Sequence, residues 1–207
     1  MEPMKIFSNP FFRPVFLIGL LSVFGGCDLI QDTFPESDEK GKITCKVNGE
    51  EFAAAGNKSI AAMDFIVAEM EREGDTFLLT VVGVSQYDGG GALAVGFKIG
   101  GHSLADIQPG TTLTEWNYDE SIIGDFQGAM GGVEERTSVN SDEAKYKASS
   151  NHADLMSLTV TEFDTLQKKL SGTFYFKAKD QYNGTEIEVT EGVFSNLEWT
   201  DKAPVTN

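Results

Sequence analysis

Basic residues, cysteine and histidine are scarce in this 207-residue chain. Sixteen Lys and Arg stand against 32 Asp and Glu, a formal net charge of −16. A nucleic-acid binder must replace phosphate counterions with its own cations. A polybasic membrane patch also needs a cluster of them. Neither surplus exists here. Two cysteines cannot build a disulfide-stapled scaffold, and two histidines leave little for a zinc centre. The sequence contains no H-E-x-x-H, C-x-x-C, Walker loop or G-x-S-x-G, and no D-x-D-x-D-G calcium loop. With these go the sequence signatures of zincins, redox dithiols, P-loop NTPases, serine hydrolases and EF-hands. Nothing in the residues calls for a cofactor or a metal. The longest apolar run, Val15 to Phe24, falls well short of the ~20 residues a membrane-crossing helix requires.

That short run has a specific setting. Lys5 and Arg13 precede it, and Gly25-Gly26-Cys27 closes it. A basic n-region, a short apolar h-region and small residues at the end make a secretory signal. The Gly-Gly-Cys ending resembles the lipobox of bacterial lipoproteins, whose cysteine is lipidated and becomes the mature first residue. Residues 1–26 are therefore expected to be a lipoprotein signal peptide and Cys27 the lipid attachment site. Residues 27–41 then carry the lipidated cysteine and an acidic tether, DLIQDTFPESDEKG, too polar to bury enough apolar area to offset its ordering. The expected location is the bacterial cell envelope, anchored by lipid to what is expected to be the outer membrane, on its periplasmic or exposed side. Cys45, in Ile43-Thr44-Cys45-Lys46-Val47, alternates apolar with polar and reads as a small core residue rather than a nucleophile.

The remaining residues, 42–203, read as one β domain. At 41% apolar and 11% aromatic the chain can support one good core. Period-2 alternation recurs: Leu93, Val95, Phe97, Ile99; Met156, Leu158, Val160; Phe174, Phe176, Ala178; Ile187, Val189. Thr76–Val84 is apolar on both faces and suits a strand covered on both sides. Asn48-Gly49 is a strong hairpin signal, and Glu73-Gly74-Asp75 and Asp180–Gly184 are further turns. Gly192 inside a strand marks a bulge, while Gly124–Gly132 reads as loop. Ser59–Arg72 carries near-helical spacing at Ile60, Met63, Val67 and Met70, but its second half alternates and favours a strand. The fold expected is all-β: a single antiparallel β-sandwich or partly closed β-barrel of about nine strands.

Two stretches carry a resemblance. Ser171-Gly172-Thr173-Phe174-Tyr175-Phe176-Lys177-Ala178 with Val189-Thr190-Glu191-Gly192-Val193-Phe194, and the opening Val47-Asn48-Gly49-Glu50-Glu51-Phe52, resemble a family of small lipoproteins of Bacteroidota. That resemblance implies a β fold and an envelope location, and brings no catalytic residue with it.

Candidate chemistry is sparse. His102 and His152 lie near hydroxyls and acids, but proximity in sequence does not make a triad. Carboxylate pairs such as Glu134–Glu135 and Asp142–Glu143 fit a solvated acidic face. Thr114–Met130 sets Trp116, Tyr118 and Phe126 among Asn, Asp and Gly, a composition suited to a recognition loop, with a packed loop and a core tryptophan as the plainer reading. The function expected is a non-enzymatic, lipid-anchored binding or structural module. Its partners are the membrane through the lipid and a glycan or protein ligand at Trp116, Tyr118 and Phe126. The competing class is an envelope hydrolase acting through carboxylates or His152.

Overall fold

The computed structural model describes residues 41–56, 64–87, 89–114, 116–117, 127–138, 143–152 and 155–202, with the backbone alone at 116, 117 and 152. The signal segment, Cys27 and nearly all of the tether lie outside the described residues, as do Tyr118 and Phe126.

Among the described residues the regular structure is strand, with two short 3-10 turns at Leu104–Asp106 and Ser150–His152. The first half holds β1 (Lys42–Val47), β2 (Glu50–Ala55), β3 (Asp64–Glu73), β4 (Thr76–Gln86), β5 (Ala92–Gly101), and the two-residue β6 (Thr112–Leu113) and β7 (Trp116–Asn117). The second holds β8 (Gln127–Arg136), β9 (Ala144–Ser149), β10 (Met156–Asp164), β11 (Lys169–Asp180), β12 (Glu186–Glu198) and β13 (Thr200–Asp201). All belong to one sheet whose longest path runs β13-β3-β4-β5-β8-β9-β11-β12-β1-β2, with β10 on β11 and β6, and β7 on β8. This sheet curls into an open half-barrel. The expected all-β class holds, with ten strands along the path. The ambiguous Ser59–Arg72 stretch is strand from Asp64 onward, paired residue for residue with β4.

Turn chemistry fixes the registers. Asn48 and Gly49 take φ 51 and φ 85, both central positions left-handed, as a two-residue type I′ hairpin requires. The Asn48 side chain does a second job: its Oδ1 accepts the Glu188 N–H at 2.9 Å, while the Asn48 N–H donates to the Glu188 carbonyl at 2.8 Å. The β1–β2 hairpin is thereby pinned to β12.

The inner face is a layer of aromatic rings laid over glycines. Phe97 sits centrally, its ring 4.8 Å from Phe194 and 5.5 Å from Phe174. A Cβ on Gly131 would lie 2.3 Å from the Phe176 ring; one on Gly172 would meet the Thr159 carbonyl at 2.2 Å and the Phe194 ring at 2.4 Å, and one on Gly192 the Phe174 carbonyl at 2.4 Å and its ring at 2.7 Å. At Gly172 and Gly192 a neighbouring carbonyl and a ring together leave no room for a side chain, and Gly131 leaves the space Phe176 fills. This explains why residues 127–132, expected as loop, are strand: Gly131 and Gly132 continue the β8 ladder opposite Phe97 and Gly96, and the missing side chain is the condition for packing Phe176. The residues expected inside, Leu79 and Val81 within Thr76–Val84 and Val95, Phe97, Leu158, Val160, Phe174, Phe176 and Val189 from alternation, are all buried. The outer faces of β4 and β5 are buried as well, where Val82, Val84, Ala92 and Ala94 cluster with Phe65 against them. The pattern of Thr76–Val84 predicts this.

Two bulges bend β12. Tyr175 alone faces both Thr190 and Glu191, and Ser171 faces Ser195 and Asn196. The extra residues Glu191 and Asn196 take φ 53 and φ 50, and such bulges increase local twist and curl a strand. Beyond β12 the chain crosses to the far margin, where β13 pairs in parallel with β3 and the Lys202 N–H donates to the Met70 carbonyl at 2.8 Å.

Candidate functional site

Of the aromatic trio singled out in sequence, the structure places only the Trp116 backbone, in β7 opposite Gly128; Tyr118 and Phe126 fall outside the described residues. His152 closes the 3-10 turn Ser150–His152, and its side chain is not described. His102 is exposed in the bend after β5, and the neighbouring Ser103 hydroxyl is spent accepting the Ala105 N–H at 3.2 Å. Glu134 and Glu135 cannot share a substrate, because successive strand residues face opposite ways. Glu134 points outward and accepts from Arg136 at 2.6 Å, a pair buried to within 5% exposure. Burial pushes the Glu134 carboxyl up despite the pull of Arg136. Glu135 points to the inner side, where Lys145 reaches it at 3.0 Å and the Tyr146 hydroxyl donates to it. Burial and Glu135 together push the Tyr146 phenol up. Asp142 lies outside the described residues. Among the described residues no group of three His, Cys, Asp or Glu converges as metal ligands would. Cys45 is buried, and burial pushes its thiol up to about 12, the opposite of what a nucleophilic thiol needs.

The outward face of β10, β11, β12 and β1 is different. Among the described residues five large apolar side chains are exposed: Tyr87, Leu166, Tyr175, Tyr182 and Val193. Only Tyr175 and Val193 lie within strands, at 48% and 45% exposure. Both line a shallow depression of about 490 Å³ whose walls are Ser157, Thr159, Thr173 and Glu191, with Phe174 and Gly192 at its base.

Strand pairing builds this site row by row. Ser157 stands opposite Tyr175, which faces Thr190 and Glu191, and Lys46 pairs with Thr190. In the next row Thr159 faces Thr173, Thr173 faces Val193, and Val193 faces Thr44. The bulge at Thr190–Glu191 spreads the strands beside Tyr175 and sends the Glu191 carboxylate to the rim. There Lys46 Nζ donates to Glu191 Oε1 at 2.8 Å, and that bond holds the Lys46 ammonium above its ordinary range. The hydroxyls of Thr112 and Thr159 are bonded to each other at 2.9 Å. The arrangement offers an aromatic platform, a methyl-bearing neighbour, several hydroxyls and one carboxylate whose charge is matched.

Sequence reasoning passed over Tyr175, though the signal was there. Phe174 and Phe176 define the dry side of β11, so Tyr175 is an aromatic on the wet side, between Thr173 and Lys177. No protein-family profile, curated protein or solved structure matches the chain.

Proposed function

We propose that the protein is a non-enzymatic, lipid-anchored binding module of the bacterial cell envelope, with the outward face of β10–β12 as its contact surface. One observation carries the binding reading: Tyr175 and Val193, half-exposed and mid-strand, stand together over a polar-walled depression. Exposed aromatics grouped with hydroxyls on a rigid sheet suit recognition, since the ring brings contact area at low entropic cost. The envelope location rests on the Gly25-Gly26-Cys27 ending and the short apolar run before it, and the tether supplies reach: fourteen residues at ~3.3 Å each extend to ~45 Å.

Two measurements test this. Metabolic labelling with a palmitate analogue is expected to tag the wild type and not Cys27→Ser; equal tagging of both removes the anchor. The full chain, purified in detergent and screened against chromogenic esters and glycosides, is expected to show no turnover. Turnover abolished by His152→Ala or by a single carboxylate substitution overturns the reading in favour of a hydrolase.

A further inference from the structure

Resting on that binding reading, we infer that the depression around Tyr175 takes a neutral sugar ring, the repeating unit of an uncharged oligosaccharide. Three features of the site converge on this chemistry. Its charge is matched internally: among the described residues Glu191 is the one charged side chain lining it, and Lys46 bonds that carboxylate at 2.8 Å. On a chain of net charge −16, an anionic ligand meets long-range repulsion, and a cationic one meets a carboxylate already paired. An uncharged ligand meets neither.

The second feature is the mixture of contacts. A pyranose presents a flat face of C–H groups and an equatorial rim of hydroxyls. Tyr175 and Val193 offer apolar surface to such a face. The hydroxyls of Ser157 and Thr173 both donate and accept, and Glu191 accepts only, so the rim of the ring finds both kinds of partner. The volume of about 490 Å³ falls within the ~300–1,000 Å³ of small-molecule sites.

The third feature speaks against a polypeptide. β11 is paired on both sides, by β10 and by β12, so an extended peptide finds no open edge there and cannot add as a strand. A protein partner or a second copy needs roughly 800 Å² of surface a side, and two exposed apolar side chains do not provide the centre of such an interface.

The test is isothermal titration of the full chain in detergent with cellohexaose, maltohexaose and mannohexaose, and with heparin as the anionic comparison. Saturable binding of at least one neutral hexasaccharide and none of heparin is expected. Tyr175→Ala should weaken binding at least tenfold and Glu191→Ala several-fold, with melting temperatures unchanged because both side chains point outward. Tyr175→Phe keeps the ring and should stay within about threefold of wild type. Tyr182→Ala, which removes a still more exposed tyrosine in the turn between β11 and β12, should change nothing. Failure of all three neutral sugars overturns the inference, as does sugar binding that survives Tyr175→Ala. If a peptide library then yields a ligand that depends on Tyr175, the sugar inference falls while the binding-module reading stands. If no ligand of any class depends on Tyr175, both fall.

Discussion

Replacing Gly131 by Ala is the sharpest test of how this half-barrel is packed. The added Cβ would sit 2.3 Å from Phe176 Cδ1, 2.4 Å from Cγ and 2.6 Å from Cε1. Ordinary carbon contacts begin near 3.4 Å, so the ring must retreat by about 1 Å. It has little room to do so, because Phe176 is fully buried, stacks on Phe174 at 6.2 Å, and lies opposite Met156 and Val189 on the neighbouring strands. Overpacking of this kind costs ~1–3 kcal/mol. Ala also regains ~0.5–1 kcal/mol over Gly in a strand interior, so a net loss of ~1–2 kcal/mol is expected. For a domain of this size that is a melting-temperature drop of ~2–8 °C. Urea unfolding followed by far-UV circular dichroism reads it directly.

A double-mutant cycle then separates the mechanism from a general effect of substitution. Phe176→Leu alone leaves a void and destabilises. In the Gly131→Ala background the smaller side chain accommodates the new methyl, and the two losses should fall short of additive by ~0.5–2 kcal/mol. A Gly131→Ala protein as stable as its parent, or strictly additive losses, would refute the claim that the glycine exists to receive the ring.

Three further predictions follow the same physics. Cys45, with its thiol pushed up to about 12, presents about one thiolate in ten thousand at pH 8, so Ellman's reagent should report it only on the unfolding timescale; prompt labelling of the native protein contradicts its burial. Glu69 has its carboxyl raised by burial, with Lys202 opposing and Glu71 adding, and its Oε2 is buried with no hydrogen-bond partner among the described residues. A raised folded-state value means the native state holds that proton more tightly, so the stability it contributes is present at low pH and lost as pH rises through the folded value; Glu69→Gln should therefore raise the melting temperature at pH 7 and converge on wild type below about pH 4. Trp199 is buried and stacked on Phe163 at 5.3 Å, and its indole N–H finds no partner among the described residues; Trp199→Ala should cost ~3–5 kcal/mol, while Trp199→Phe, which removes the unsatisfied donor, should stay within ~1.5 kcal/mol of wild type.

What sequence alone could deliver follows from which interactions are local. Asn48-Gly49 declares its turn because both residues tolerate a left-handed backbone, and Leu93 to Ile99 declares its faces because side chains alternate. Thr76–Val84 declares burial on both faces by having no polar side. Gly131 and Gly132 read as loop in the sequence because the reason for Gly131 is not local: a glycine beside other glycines signals a loop until the ring it makes room for is known, and that ring, Phe176, arrives more than forty residues later from β11.

The candidate site illustrates the same limit from the other side. Composition drew attention to Trp116 and Tyr118, since aromatics among Asn and Gly are conspicuous in a linear string. Tyr175 is less conspicuous, one wet-face aromatic between the dry-face Phe174 and Phe176 with no Asn or Gly beside it. Alternation alone turns it outward, but its partners come from three other strands: Ser157 from β10, Glu191 and Val193 from β12, and Lys46, through Glu191, from β1. The depression itself depends on a bulge at Glu191, at φ 53, a backbone state uncommon for any side chain other than glycine, asparagine and aspartate. Gly192 beside it is needed for a different reason, the approach of Phe174 on the inner face. A single irregularity in β12 thus serves both sides of the sheet. Inward it lets the phenylalanine layer close, and outward it opens the space beside Tyr175. Filling Gly192 with a side chain should therefore damage core and site together, whereas changes at Tyr175 or Glu191 should touch the site alone.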